Sequence, residues 1–237
     1  MSQTRSGYEQ KLAQLKKRLV LEATQAVNML ESALAALWVL DVQKAIEVRR
    51  RDDSIDAEEV QIERECIRFL AMEQPVATDL RQITFILRVN TEVERVADHA
   101  TSIAKVVKRI VSSNGHAKWP TSLTELGQRV PMVCHALLRA VLDEDVSAAQ
   151  QLIADDEVID KLERSLFFET LEMMRVEDNT LAAGMHIYRV ARELERVADI
   201  MADIARDLIF LKTGEIVRHR DKAPPALRPA GGAGDEN

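Results

Sequence analysis

The 237-residue sequence has few of the residues that interrupt helices or build sheets. It contains 8 glycines and 6 prolines, and aromatic residues make up only 4% of the chain. Three of those glycines and three of those prolines lie after residue 223, so the first 220 residues are almost free of helix breakers. This composition argues against a β-sandwich, and without a glycine-rich loop neither a P-loop nor a dinucleotide-binding fold is supported.

Cysteine is also scarce, and long apolar runs are absent. Cys66 and Cys134 are the two cysteines, and their spacing fits neither a metal site nor a redox motif. We therefore expect two core thiols in a reducing, cytoplasmic compartment. The longest apolar run, from Ala33 to Leu40, is far shorter than the ~20 residues of a membrane span, and the polar N-terminus does not resemble a signal peptide.

Acidic residues outnumber basic residues. The chain has 32 Lys and Arg against 39 Asp and Glu, which gives a formal net charge of −7. A negative charge is the wrong sign for a surface that binds nucleic acid, so we expect no nucleic-acid partner.

An internal repeat is present. Residues 86–104 align with residues 187–205 at a shift of 101, with 11 identities in 19 positions. Upstream, residues 52–56 align with residues 156–160 at a shift of 104, as Asp41-Val42 does with Asp145-Val146. The sequence therefore contains two copies of one structural unit, with a small insertion or deletion inside the unit.

Each copy shows the apolar periodicity of three helices. The first helix begins near a capping-box pattern, Ser6 with Glu9, and the second copy opens with the same pattern at Ser122 and Glu125. The apolar stripe of the first helix consists of Tyr8, Leu12, Leu15, Leu19, Ala23, Ala26, Leu30, Leu34 and Leu37. The second helices are predicted from about residue 53 to 72 and from about residue 156 to 174.

The third helices carry the clearest seams, and their residues correspond one to one between the copies. These seams are Ile86, Val89, Val93, Val96, Ala100, Ile103, Val107 and Ile110, and Ile187, Val190, Leu194, Val197, Met201, Ile204, Leu208 and Leu211. Asn114-Gly115 and Gly214 are predicted stops.

Three helices with short connections form an antiparallel bundle. We therefore predict an all-α fold of two tandem three-helix bundles related by a pseudo-twofold axis. Residues 1–115 form the first bundle, residues 116–217 the second, and residues 218–237 a disordered tail.

Acidic residues occur in pairs at corresponding places in the two copies. Each pair has i, i+4 spacing, which puts both carboxylates on one helix face. Four carboxylates from two helices are a donor set suited to a hard divalent cation. The candidate metal ligands are Asp52, Asp56, Glu94 and Asp98 in the first copy, and Asp156, Asp160, Glu195 and Asp199 in the second.

Other interpretations of these acids stay open. Arg95 and Arg196 each follow a candidate glutamate and could neutralise it without metal, by bridging to neighbouring helices. Asp52, Asp53 and Asp156 fall near predicted helix starts, where acidic residues are favoured anyway. His99 is expected to have a core or surface role more than a ligand role. No nucleophile is recognisably paired with a base, so we expect no enzymatic activity.

Taken together, these motifs resemble the PhoU family of bacterial phosphate-signalling regulators. The resemblance rests on the duplicated Glu-Arg-Val-Ala-Asp, on the segment from Gln74 to Arg81, and on the Asp-x-Ile-Asp openings of the second helices. It covers about residues 5 to 217. It implies the same two-bundle fold, frequent dimerisation, and metal binding through the acidic motifs, with iron, zinc, manganese or magnesium as possible ions.

By the same resemblance, the implied function is negative regulation of the phosphate-starvation response and of phosphate uptake. The expected partners are the ATPase subunit of a phosphate ABC transporter, a sensor histidine kinase and a second copy of the chain, with membrane contact only through partners. The alternative function, supported by the eight acids alone, is a carboxylate-bridged metal store or metalloenzyme.

Overall fold

The computed structural model describes residues 2–112, 118–154, 156–176 and 181–216. Every regular element in these ranges is an α-helix, which confirms the predicted fold class. The helices are α1 (Ser2–Val39), α2 (Val42–Glu73), α3 (Ala77–Ser112), α4 (Thr121–Asp143), α5 (Val146–Ala154), α6 (Asp156–Val176) and α7 (Leu181–Thr213). Within the same ranges, no helix has the length and apolar character needed to cross a membrane.

The helices form two bundles that share one hydrophobic core. Helices α1, α2 and α3 make the first bundle, and α4 to α7 make the second. The bundles meet mainly along α3 and α7. There Arg81 Nε donates to the Leu211 carbonyl at 3.2 Å, and Arg88 Nη1 lies 2.9 Å from Asp207 Oδ1. Because the residue number rises along α3 as it falls along α7, these two helices are antiparallel.

The predicted apolar seams are confirmed. All eight seam residues of α3 and all eight of α7 are buried, as are Leu12, Leu15 and the later stripe residues of α1. Cys66 and Cys134 are both fully buried, and burial raises the pKa of each thiol to about 12. They are therefore core residues, as predicted.

The predicted start of the second helix was wrong in the first copy and is confirmed in the second, where α6 begins at Asp156. Helix α2 begins at Val42, eleven residues before the predicted start, because the Asp41 side chain accepts a hydrogen bond from the Lys44 amide at 3.0 Å. Asp145 caps α5 in the same way, through the Ala148 amide. Asp52 and Asp53 consequently lie inside α2 and cap nothing. In the second bundle the region equivalent to α2 comprises α5 (Val146–Ala154) and α6 (Asp156–Val176).

The predicted capping box at Ser122 is also wrong. Pro120 is the N-cap of α4, and Ser122 lies inside the helix. Its hydroxyl donates to Glu169 Oε1 on α6, so the serine links two helices. At the other end of the second bundle, Gly214 ends α7 as predicted: its φ is 74° and its amide donates to the Phe210 carbonyl at 2.8 Å.

Several predictions fall outside the described residues. They are the Ser6 side chain, the Asn114-Gly115 stop, the boundary between residues 115 and 116, and the tail at 218–237. They stay predictions.

Candidate functional site

The first bundle brings its four predicted acids to one side of the α2–α3 pair. Asp52 and Asp56 come from α2, and Glu94 and Asp98 from α3. We call these four residues the first acidic face. Asp52 and Glu94 are half-buried, whereas Asp56 and Asp98 are exposed. Each i, i+4 pair therefore runs from the edge of the core out to solvent.

The second bundle repeats this arrangement. Asp156 and Asp160 on α6, with Glu195 and Asp199 on α7, form the second acidic face. Again the first member of each pair is half-buried and the second is exposed. The structure thus places all eight predicted residues in two equivalent groups.

Within the described residues no Lys or Arg forms an ion pair with the first acidic face, although the charge of Lys105 lowers the pKa of Asp52. Burial, together with the nearby carboxylates of Asp98, Glu59, Asp56 and Asp52, raises the pKa of Glu94 to about 7. Burial likewise raises the pKa of Asp52, with Asp56 and Asp98 adding to the effect. Since the residues of both helices perturb one another, the four carboxylates lie close enough to share one electrostatic environment.

An arginine partly neutralises the second acidic face. Arg192 Nη1 lies 3.3 Å from Glu195 Oε1 and 3.7 Å from Glu163 Oε1. Burial still raises the pKa of Glu195, and the pKa values of Asp156 and Asp199 are raised for the same reason. At the repeat shift of 101, the first bundle has Thr91 in place of Arg192. The two faces therefore differ in charge although they agree in geometry.

The arginines that follow the motif glutamates do not bridge to a neighbouring helix. Arg95 pairs with Glu92 on its own helix at 2.7 Å. Arg196 is exposed and forms no ion pair within the described residues. The bridge to Glu195 comes instead from Arg192, one turn earlier. The ion-pair interpretation therefore applies in part to the second face and not to the first.

A buried glutamate beside the first acidic face was missed by sequence reasoning. Glu22 on α1 is only 1% exposed, and neither of its carboxylate oxygens has a hydrogen-bond partner in the described structure. Burial, together with the carboxylates of Glu58 and Glu59, raises its pKa to about 8. At the shift of 104, the second bundle has the buried Leu126 at this position. The replacement of a leucine by a glutamate at equivalent places was the sequence signal that could have identified Glu22.

Asn90 is a second buried polar residue of the first bundle. Its Nδ2 donates to the Glu59 carbonyl at 2.9 Å, while Oδ1 has no partner in the described residues. Its repeat counterpart is Ala191, which is also buried. The interior of the first bundle is therefore more polar than the shared fold requires.

His99 has a role that the sequence did not show. Its Nδ1 lies 2.7 Å from Glu193 Oε2, and this bond joins α3 to α7 across the bundle interface. Burial alone would raise the pKa of Glu193, but the bond and charge of His99, with the charges of Arg196 and Arg189, outweigh it and leave the pKa lowered. His99 thus serves the contact between the bundles.

The acidic faces suit a hard cation in their chemistry. Asp52 Oδ1 and Glu195 Oε2 are buried oxygens that accept no hydrogen bond in the described structure. A cation near either oxygen would satisfy it and reverse the repulsion that raises the neighbouring pKa values. As the side chains stand, no three Asp, Glu, His or Cys residues among those described gather tightly enough to enclose an ion. Binding would require the carboxylates to close on it.

The repeat agrees with a known domain family. The PhoU domain matches residues 19–107 and again residues 123–208. The two matches start 104 residues apart and end 101 residues apart, as do the two shifts of the internal repeat.

Relatives and solved structures of similar length were found. The chain is 29% identical over 219 residues to a "phosphate-specific transport system accessory protein PhoU homolog" of Clostridium acetobutylicum, covering 92% of this chain and 100% of that protein. The crystal structure of PhoU from Pseudomonas aeruginosa superposes with a TM-score of 0.84 at 25% identity, over 88% of this chain and 100% of that one. PhoU from Streptococcus pneumoniae gives 0.82 at 28% identity, over 89% and 99%.

Proposed function

This chain belongs to the PhoU family, and on that premise we propose that it is a negative regulator of the phosphate-starvation response and of phosphate uptake. The observation that carries the proposal is the match of the PhoU domain to both halves of the chain. The relative from Clostridium acetobutylicum, named as an accessory protein of phosphate transport, is matched along its whole length.

In this proposal the protein acts in the cytoplasm as an adaptor. It contacts the ATPase subunit of a phosphate ABC transporter and a sensor histidine kinase, and it keeps the kinase from activating its response regulator when phosphate is plentiful. Association as a homodimer is part of the proposal, and light scattering of the purified protein tests it. The role requires binding surfaces and no catalytic step of its own.

An exposed apolar surface on the second bundle supports a role in protein contacts. Phe167 and Phe168 on α6 are 47% and 67% exposed, and Leu181 and Met185 at the start of α7 are more than half exposed. At the shift of 104, the first bundle has Glu63 and Arg64 in place of the two phenylalanines. The fold therefore does not require aromatic residues there, and exposed aromatic clusters commonly mark interaction sites.

We also propose that the two acidic faces bind metal ions, for which iron, zinc, manganese and magnesium are the candidates. The support is the buried, unpartnered carboxylate oxygen on each face, together with the raised pKa values around it. A bound cation would neutralise the carboxylates of two antiparallel helices and so fix those helices against each other. The role we assign to the metal is structural or regulatory.

A disruption strain tests the regulatory role. We expect a strain without this chain to express alkaline phosphatase and to take up phosphate at high rates in phosphate-rich medium. Re-expression of the wild-type chain should restore repression. Normal repression in the disrupted strain would show that the chain is not the regulator, and attention would move to the alternative of a metal store or metalloenzyme.

A surface variant separates the adaptor role from folding. Phe168→Lys should leave the melting temperature nearly unchanged because the side chain is mostly exposed. If the aromatic surface contacts a partner, the same variant should fail to restore repression in the disrupted strain. Arg64→Lys, at the equivalent place in the first bundle, is the matched control and should restore it. If Phe168→Lys restores full repression in the disrupted strain, the aromatic surface does not contact the partner.

A further inference from the structure

A groove between the beginning of α2 and the end of α3 is lined by four cationic side chains. Arg49 comes from α2, and Lys105, Lys108 and Arg109 come from α3. The groove has a volume of about 290 Å³, and no acidic residue of the described chain lines it. We call it the basic groove. The three α3 residues have i, i+3 and i+4 spacing, so they project from one helix face with Cβ atoms about 5–6 Å apart.

Among the residues that the structure describes, none of the four cations has an acidic partner. They are all exposed, and within the described residues none forms an ion pair or a side-chain hydrogen bond. The chain as a whole has more acidic than basic residues, 39 against 32. Four unpaired positive charges around one groove repel one another and raise the free energy of the folded state. A bound anion would remove that cost.

The second bundle shows that the fold does not require this charge. At the repeat shifts, Arg49 corresponds to Ile153, Lys108 to Ile209 and Arg109 to Phe210. Ile209 is buried, and Ile153 packs against the hydrophobic core. The second bundle therefore has apolar side chains where the first has cations.

Lys105, the fourth cation of the groove, differs from its counterpart in another way. Lys105 corresponds to Arg206, which is neutralised by Asp203 on its own helix at 2.7 Å. In the first bundle Ser102 replaces that aspartate, and Lys105 has no such partner. Lys105 does lower the pKa of Asp52, whose pKa burial nevertheless keeps above its ordinary value. It therefore lies between the first acidic face and the basic groove.

Helix capping does not account for the cluster. Lys108 and Arg109 lie near the C-terminus of α3, where positive charge is favoured by the helix dipole. Arg49 and Lys105 lie well inside their helices and gain nothing from it. The positive potential also extends beyond the groove, because Arg109 adds to the effect of burial in lowering the pKa of His186.

We propose that the basic groove binds a small anion that carries adjacent phosphate groups. Two lysines and two arginines are the residues that proteins use to hold phosphate oxygens. One phosphate carries a charge of about −2 and would balance roughly half of the four cations, whereas a diphosphate or triphosphate would balance most of them. The ligand chemistry is thus a chain of at least two phosphates, either inorganic or part of a nucleotide. The inference uses only the groove and does not depend on the proposed function.

Calorimetric titration of the purified full-length chain tests this inference. The probes are orthophosphate, pyrophosphate, magnesium-free ATP and, as a control for charge alone, sulfate. The groove variants are Lys105→Gln/Lys108→Gln and Arg49→Gln. The matched control is Lys17→Gln/Arg68→Gln, which removes two positive charges from exposed sites outside the groove. Circular dichroism verifies that each variant is folded.

We expect pyrophosphate to bind more tightly than orthophosphate or sulfate. Each cation removed from the groove should weaken pyrophosphate binding at least tenfold, because hydrogen bonds between charged groups are roughly twice as strong as those between neutral groups. The control variant should bind like the wild type. ATP binding equal to that of pyrophosphate would mean that the phosphates alone are recognised, and tighter ATP binding would identify a nucleotide. Absence of binding at millimolar pyrophosphate, or equal weakening in groove and control variants, would overturn the inference.

Discussion

Replacing Glu22 by leucine should stabilise the protein, and the gain should grow with pH. Glu22 is buried, its oxygens have no hydrogen-bond partner in the described structure, and the second bundle has Leu126 at the same place. An apolar side chain of similar volume removes the cost of burying an unsatisfied carboxylate. The repeat itself shows that leucine fits the surrounding helices.

The sign of the pH effect follows from the raised pKa. In the folded protein the pKa of Glu22 is about 8, against an ordinary value of 4.5. Between these values the folded state holds a proton that the unfolded state has released, so stability falls as pH rises through this window. At about 1.4 kcal/mol per pH unit, the upper limit of the loss is about 5 kcal/mol.

We expect Glu22→Leu to raise the free energy of unfolding by about 2 kcal/mol at pH 8. This is less than the upper limit because the neighbouring acids titrate together with Glu22 and share the effect. For a chain of this size that corresponds to a rise of about 4–8 °C in Tm. At pH 5, where Glu22 is protonated, the rise should be much smaller. Glu22→Gln should remove the contribution of Glu22 to the pH dependence, without the apolar gain. Exposed Glu125→Leu is the control for an added leucine.

The assay is thermal unfolding, followed by circular dichroism, of the wild type and the three variants at pH 5, 6.5 and 8 without divalent cations. An equal Tm shift for Glu22→Leu at all three pH values would refute the reasoning, because the gain would then come from leucine and not from removal of the charge. A lower Tm at pH 8 would refute it more strongly, since it would mean that the carboxylate is satisfied in the protein.

Two further predictions concern the contacts between the bundles. A double-mutant cycle of His99→Ala and Glu193→Ala should give a coupling energy of about 1–3 kcal/mol in urea unfolding, since the two side chains share a buried hydrogen bond of 2.7 Å. A coupling near zero would show that the bond is not formed in solution. Gly127→Ala should lower the free energy of unfolding by about 1–3 kcal/mol because the new Cβ would lie 2.5 Å from the Trp38 ring. Gly7→Ala, which has open space around it, should be neutral or stabilising. Equal melting temperatures for the two variants would contradict the packing.

The fold was predictable from the sequence because the apolar periodicity of the helices and the internal repeat are both strong signals. The apolar seams of α3 and α7 recur at helical spacing, and Ile86 and Ile187 begin two stretches that align residue for residue. Helix starts were less predictable. Asp41 and Asp145 cap helices through one side-chain bond each, and although the repeat aligns the two aspartates, the alignment does not by itself mark them as helix caps.

The candidate site was predictable only in outline. The i, i+4 spacing is enough to place Glu94 and Asp98 on one face, and the repeat then predicts the second face. The partners of those acids depend on packing between distant segments. Glu22 is buried beside the first face, and Arg192 approaches Glu163 on α6, because of tertiary contacts that no local pattern encodes. The Arg192–Glu195 pair, in contrast, has i, i+3 spacing on one helix and was readable from the sequence. A residue-by-residue comparison of the two copies would have identified Glu22.

The measurement that tests the account most directly is the metal content of the protein purified without chelators. Elemental analysis should find stoichiometric iron, zinc, manganese or magnesium in the wild type. Glu94→Gln/Asp98→Asn should lose most of it, and Glu195→Gln/Asp199→Asn should lose less because Arg192 already neutralises part of the second face. A wild-type protein without metal, or two variants that retain all of it, would contradict the claim that the acidic faces are cation sites.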